Sequence, residues 1–277
     1  MTYFNPINLT TMANNISPLA YVHPSAELGD NVTVDAFVYI DANVKIGNNS
    51  HIMSHCSIIG GTIIGENNKI YDGCVLGADP QDFRWKGEQG YCRIGDNNHI
   101  YQHVIINRSI REGSATEIGN NSYIMAQSHI GHDSSIGDYC VLGNGVKIAG
   151  DCRVENYSVL SSGVIVHEKC EIGKWTLIKG GCRVTSNVPP YVIMAHNPIV
   201  YFGVNSYILR KGHKSEERID DIAKCYRHIF QSSTSLFNAL KRIHEDVAQS
   251  KERDNIIAFI ENHDMKIAGL PLDSNIY

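Results

Sequence analysis

The sequence predicts a mainly β fold: a parallel β-solenoid built from six-residue units and closed by a C-terminal α-helical domain. Three observations predict it. Aliphatic residues recur every six positions, small residues and cysteines sit four positions after them, and helical spacing replaces that period after Pro189-Pro190. With 277 residues, 43% hydrophobic and 19% charged, the chain is too apolar for disorder and too mixed for a coiled coil. Its 24 glycines against 8 prolines and 7 phenylalanines suit a succession of tight turns carrying small or β-branched side chains.

Residues 1–15 read as an N-terminal tail, with Met12 an alternative start to Met1. The tail holds no Lys or Arg and no apolar stretch of the kind a secretory signal needs. From Val22 the period begins: Leu28, Val34, Ile40, Ile46, Ile52, Ile58, Ile64, Ile70 and Leu76 follow at steps of six. It resumes over Ile94, Ile100 and Ile106, and again from Ile118 without a break through Ile130, Ile148 and Val166 to Val184. A helix needs a period of 3.6 and a lone strand a period of two, so neither accounts for six. One unit suits one side of a triangular coil, and three units complete it. Coils stacked at the strand spacing make residues 16–190 a solenoid about 45 Å long, each coil burying its aliphatics against its neighbours.

Cys56, Cys74, Cys140, Cys152, Cys170 and Cys182 all fall four residues after a repeat aliphatic, in a phase otherwise filled by Ala26, Val32, Val44, Ser128, Ser158 and Thr176. They read as small inward hydrophobes rather than as a zinc or disulfide framework, for which the chain has no Cys-x-x-Cys pair. Two excursions interrupt the repeat, at 78–93 and 107–117, and long loops in compact repeats tend to carry function. Residues 191–277 read as the helical domain. Ser215 with Glu216 and Glu217 begins one helix, Leu236, Leu240, Ile243 and Val247 line a second, and Ile256, Ile257, Phe259 and Ile260 a third. Arg210, Lys211, Lys214, Arg218, Lys224 and Arg227 form either a solvated face or a surface for an acidic protein.

Residues 18 apart should share a face on adjacent coils, which aligns His132, Gly150 with Asp151, and His167 with Glu168. His132 is either an exposed histidine in a solvated turn or a general base. A neutral imidazole near pH 7 can take a proton from a sugar hydroxyl, and the Gly150 N–H one coil along could hold an acyl-transfer oxyanion. The spacing of His129 and His132, and of His51 and His55, matches no zinc set expected of such a solenoid, so no metal is expected. No apolar run approaches 18 residues, so no stable membrane insertion is expected. A net charge of −5 without clustered Lys and Arg in the first 200 residues argues against a nucleic-acid partner, and a cytoplasmic protein is the default.

The hexads together with ADPQDFRWKGE (Ala78 to Glu88), SHIGHDSSIGDYCVLGNGVKIAGD (Ser128 to Asp151), VHEKCEIG (Val166 to Gly173) and VPPYVIMAHNPIVYFGVN (Val188 to Asn205) resemble the acyl-carrier-protein-dependent UDP-N-acetylglucosamine O-acyltransferases of lipid A biosynthesis. The resemblance covers about residues 16 to 240. It implies a left-handed parallel β-helix, an exception to right-handed crossovers, assembled as a homotrimer with active sites in clefts between subunits. It implies a 3-hydroxyacyl transfer from acyl carrier protein to the 3-hydroxyl of a UDP-sugar, with no cofactor beyond the donor's phosphopantetheine. The general base then falls on His132, oriented by Asp133, and the oxyanion amide on Gly150. Gln81, Asp82, His129, His167 and Asn205 match substrate contacts, and Gly180 matches the small residue at the end of the acyl chain. Arg84, Asn107, Asp151, Glu168, Tyr207 and Lys211 stand where better-known members carry Lys, His, His, Gln, Glu and Arg. Two alternatives remain at this point: a paralogue acylating another nucleotide sugar, including an amino sugar, and a non-catalytic trimeric scaffold. The acyl chain length is not legible.

Overall fold

A computed structural model describes residues 13–232 and 234–270. Short strands, mostly of two residues, form the three sides of a triangular prism. The first sheet holds eleven strands, the second nine and the third eight. Through Val184, successive strands of one sheet pair in parallel at an 18-residue register wherever no excursion intervenes, as in His129↔Lys147 and Ile130↔Ile148. The repeat aliphatics point inward and are almost wholly buried from Val34 to Val184, with Cys56, Cys74, Cys92, Cys140, Cys152, Cys170 and Cys182 buried among them. All eight cysteines are free thiols. A small inward side chain is needed at that phase because it lies beside a corner, where the chain turns toward the next face.

Most corners place one residue in the left-handed region. Between the third and first sheets these are Asn31, Asn49, Asn67, Asn97 and Asn121, then Tyr139, Tyr157 and Trp175. Asn and Asp tolerate this conformation better than other non-glycine residues. The asparagines also join successive coils: Asn31 Nδ2 donates to Asn49 Oδ1 at 2.9 Å and Asn49 Nδ2 to Asn67 Oδ1 at 3.2 Å. The aromatic residues that follow stack instead, Tyr139 on Tyr157 and Tyr157 on Trp175, with centroids 5.0 and 4.1 Å apart. At the corner between the second and third sheets, Asp133 and Asp151 take the left-handed position on consecutive coils.

Several boundaries differ from those expected. The strand Asn15–Ile16 already pairs with Thr33–Val34, so the tail is shorter than 1–15, and residues 1–12, including both candidate start methionines, lie outside the described residues. Strands reach Ala78 and Asn107 and resume at Tyr91 and Ala115, which narrows the excursions to 79–90 and 108–114. The β structure also runs past Pro190. Val192–Ala195 continues the first sheet in parallel beside Leu177–Ile178, and Val200–Val204 closes that sheet antiparallel to it. Both runs are β-branched and apolar, and the prolines before them end the coil rather than the sheet.

The helices are α1 (Ser206–Lys211), α2 (Glu216–Phe230), α3 (Leu236–Asp246) and α4 (Lys251–Asn262). Ser215, Ser235 and Ser250 cap the last three, each side chain accepting from a backbone N–H of the first turn. The short α1 had no counterpart in the sequence reading. Helix α2 packs on Val200–Val204, where Tyr226 and Phe230 meet Tyr201. The buried Tyr226 hydroxyl donates to the Pro190 carbonyl. Of the basic residues singled out above, Arg210, Lys214, Arg218 and Lys224 pair with carboxylates inside this domain. Among the described residues no helix is long and apolar enough to cross a membrane.

Candidate active site

Both excursions leave the prism at the corner between its second and third sheets, on consecutive coils. The next coil places His132 at the same corner, the one after it Gly150 and Asp151, and the next His167 and Glu168. The two loops therefore rise beside His132. Their bases are tied together: the Asn107 side-chain amide donates to the Asp79 carbonyl at 2.6 Å, and Arg108 pairs with the Asp79 carboxylate at 2.6 Å. Arg108 also lies over the Trp85 ring, 5.3 Å from its centroid. Asn107, buried and turned to the backbone, thus serves the loop's architecture.

His132 is 7% exposed. Its Nδ1 lies 2.8 Å from Asp133 Oδ2 and its Nε2 3.2 Å from Asp82 Oδ2. Asp133 is held from several sides. The Ser109 hydroxyl and the Ile110 N–H donate to it, the latter at 3.2 Å, Arg111 NH1 pairs with it at 2.8 Å, and its own N–H donates to Thr116 Oγ1 at 2.8 Å. Burial would push the Asp133 carboxyl up, but these donors and His132 together bring it below the usual carboxylate range. An ionised Asp133 can only accept, so the imidazole donates from Nδ1 and turns Nε2 toward the loop.

Asp82 belongs to the first loop, where Arg84 grips it with Nε at 3.0 Å and NH2 at 2.6 Å. That fork holds the Asp82 carboxyl well below its ordinary range. Arg84 reaches on to Glu168 at 3.1 Å, joining the loop to a coil two levels beyond His132. Gly150 packs directly against the imidazole: a Cβ there would lie 2.4 Å from both Cε1 and Nε2 of His132. Among the described residues its N–H donates to no protein acceptor, whereas the Asp151 N–H bonds the His132 carbonyl at 2.9 Å. His129 projects from the second sheet, and burial, followed by Lys147 and His132, holds its imidazole below the usual range and so neutral. His167 Nε2 faces Arg183 NH2 at 3.3 Å, and Gln81 is exposed at the start of the loop.

The other expected site residues lie elsewhere on the prism. Gly180 precedes Arg183–Val184 at the far edge of the second sheet, three coils and roughly 14 Å along the axis from His132. Asn205, Tyr207 and Lys211 gather at the corner between the third and first sheets, where Asn205 is buried and its side chain donates to the Trp175 carbonyl at 3.0 Å. Tyr207 is exposed, with Lys211 Nζ 5.8 Å from its ring centroid. Ser109, Arg111 and Thr116 were not anticipated. The hexad phase could have found them, because Leu76, Ile106 and Ile130 lie on one face and each is followed by the same corner. Among the described residues no three His, Cys, Asp or Glu side chains form a metal-binding group.

Residues 187–268 match the model for the second domain of UDP-N-acetylglucosamine O-acyltransferases, and residues 43–78 and 115–150 match the bacterial transferase hexapeptide repeat. The chain is 37% identical over 250 residues to the acyl-(acyl-carrier-protein)–UDP-N-acetylglucosamine O-acyltransferase of Aliarcobacter butzleri, covering 90% of this chain and 96% of that one. It is 40% identical to the enzyme of the same name from Ectopseudomonas mendocina, covering 88% and 97%. The solved UDP-N-acetylglucosamine acyltransferase of Bacteroides fragilis 9343 superposes with a TM-score of 0.88 at 41% identity, covering 92% of this chain and 99% of that one. The Francisella novicida enzyme gives a TM-score of 0.85 at 33% identity, covering 94% and 95%. With these likenesses the prism is the left-handed parallel β-helix that the resemblance implied.

Proposed function

The chain belongs to the acyl-(acyl-carrier-protein)–UDP-N-acetylglucosamine O-acyltransferase family, and from that membership we propose a mechanism in which His132 is the general base. The overall reaction moves an acyl chain from acyl carrier protein to UDP-N-acetylglucosamine, the first step of lipid A synthesis. In the proposed mechanism the donor is a 3-hydroxyacyl thioester on the carrier's phosphopantetheine and the acceptor is the sugar 3-hydroxyl. The acceptor hydroxyl displaces the Asp82 carboxylate from His132 Nε2. Nε2 removes its proton as the oxygen attacks the thioester carbonyl, and the new C–O bond sends the carbonyl π electrons onto oxygen. The unpaired Gly150 N–H receives that oxyanion. Collapse reforms the carbonyl and breaks the C–S bond, and the imidazolium returns its proton to the leaving thiolate. No further cofactor is needed for these steps.

One observation carries the reading: with Nδ1 on Asp133, His132 sets its Nε2 directly against Gly150, where an added Cβ would lie 2.4 Å from it. His132→Ala should fold normally and lose at least about a hundredfold in turnover, the lower end of what a general base contributes. The assay is formation of acylated UDP-sugar, followed by mass. Near-normal turnover in that variant would overturn the mechanism.

The split of the site over different corners supports a homotrimer in this reading. Asn205, Tyr207 and Lys211 then serve the nucleotide-sugar at a neighbouring chain's His132, and the second sheet with Gly180 lines the acyl path.

A further inference from the structure

We propose that Arg111 is a positioning residue for acyl transfer: by bridging Asp133 and Asp151 it orients the dyad carboxylate and cancels the negative charge that Asp151 sets close to that dyad. The proposal rests on His132 being the base. Arg111 comes from the second loop and uses its two terminal nitrogens separately. NH1 pairs with Asp133 at 2.8 Å and NH2 with Asp151 at 2.5 Å. A planar guanidinium can hold two carboxylates in this way, and a lysine point charge cannot hold both in the same fixed geometry.

Asp151 makes such a bridge necessary. It follows Gly150 directly and shares one guanidinium with Asp133, so its carboxylate sets a second negative charge close to the dyad, where it opposes a developing oxyanion. Its Oδ2 is buried without a partner, which leaves Arg111 as its one ionic partner among the described residues. The rest of the field around His132 is already matched. Asp82 on the first loop is neutralised by Arg84, which also takes Glu168 from the coil beyond, and Lys169 lies 3.8 Å from Glu168. His129 on the same coil is kept neutral by burial, with Lys147 beside it on the next. The Arg111–Asp151 pair is therefore the adjustable element: either partner without the other changes the charge that His132 experiences.

The signs are opposite for the two partners. Without Arg111, two carboxylates favour the imidazolium, so Arg111→Gln should move the acid limb of the kcat/KM–pH profile to higher pH by about one unit, with kcat near neutrality down about tenfold. Asp151→Asn leaves Arg111 less compensated and should move the limb to lower pH. The double variant should return it close to the wild-type position, and Arg111→Lys should restore only part of the loss. Limbs that stay fixed in both single variants, or that move in the same direction, would overturn the proposal and leave Arg111 a structural clamp. The wild-type profile and His132→Ala, measured alongside, test the underlying mechanism separately: if that variant keeps the acid limb, the assignment of His132 fails whatever Arg111 does.

Discussion

At His132 both ring nitrogens meet carboxylates, yet the two contacts differ in kind. Asp133 is fixed by the second loop and by a backbone bond to Thr116, whereas Asp82 stands on an excursion held by the Arg84 fork. In the proposed mechanism the first orients the ring throughout, and the second gives way to the acceptor hydroxyl. Gly150 sharpens the point. Its backbone is not in the left-handed region, so alanine is conformationally acceptable there, and what a Cβ meets is the imidazole itself at 2.4 Å. Gly150→Ala should therefore change the melting temperature little, because a ring can shift, while lowering kcat by about a hundredfold through misplacement of the base. Melting and turnover measured on the same preparation check this, and unimpaired turnover would separate His132 from the chemistry. His132 and Gly150 were legible as neighbours because 18-residue arithmetic needs only the repeat. For Arg111 and Ser109 the phase of Ile106 tells only which corner their loop leaves, since side chains inside an excursion have no phase of their own.

At the scale of elements, the three longer helices followed from spacing, α2 also from its cap, and α1 and the terminal hairpin did not. Ser215 with two acidic residues behind it specifies an N-terminus locally, and the structure begins α2 there. The strand Val192–Ala195 depends instead on an open sheet edge beside Leu177–Ile178, a tertiary fact invisible to a window of sequence. The join between solenoid and helices is partly polar. Tyr226 reaches back to the Pro190 carbonyl from the middle of α2, Asn255 donates to the Tyr191 hydroxyl at 2.9 Å, and His263 meets Glu171 at 3.1 Å. Tyr226→Phe keeps the packing on Tyr201 and Phe230 but strands a buried carbonyl, so it should cost about 1–3 kcal/mol of stability. Urea unfolding checks the magnitude. A variant as stable as wild type would mean that another donor satisfies Pro190.

For the molecule as a whole, the three corners divide the work. One carries His132 and both loops, a second is lined by stacked asparagines and aromatics and ends at Asn205, and the third carries Gly180 above the edge of the second sheet. The expected site residues therefore do not meet within one chain, a separation that the unbroken hexads could show for Gly180 but not for Asn205, Tyr207 and Lys211, which lie beyond the end of the repeat. If neighbouring chains share each site, mixing His132→Ala with Lys211→Ala subunits after dissociation and reassembly should recover activity that neither variant has alone. An unchanged sum after verified exchange would place the whole site in one chain. The 18-residue register has a consequence for how such a chain can change in length. Gain or loss of a complete coil between the first strand and the loops shortens or extends the prism and leaves every later residue facing as before. A single hexad gained or lost between the second loop and His132 instead turns all that follows by one face, carrying His132 away from the loops that attend it. Inheritance can therefore lengthen or shorten the scaffold there only in whole revolutions, much as a bolt engages its nut again only after a full turn brings the same mark uppermost.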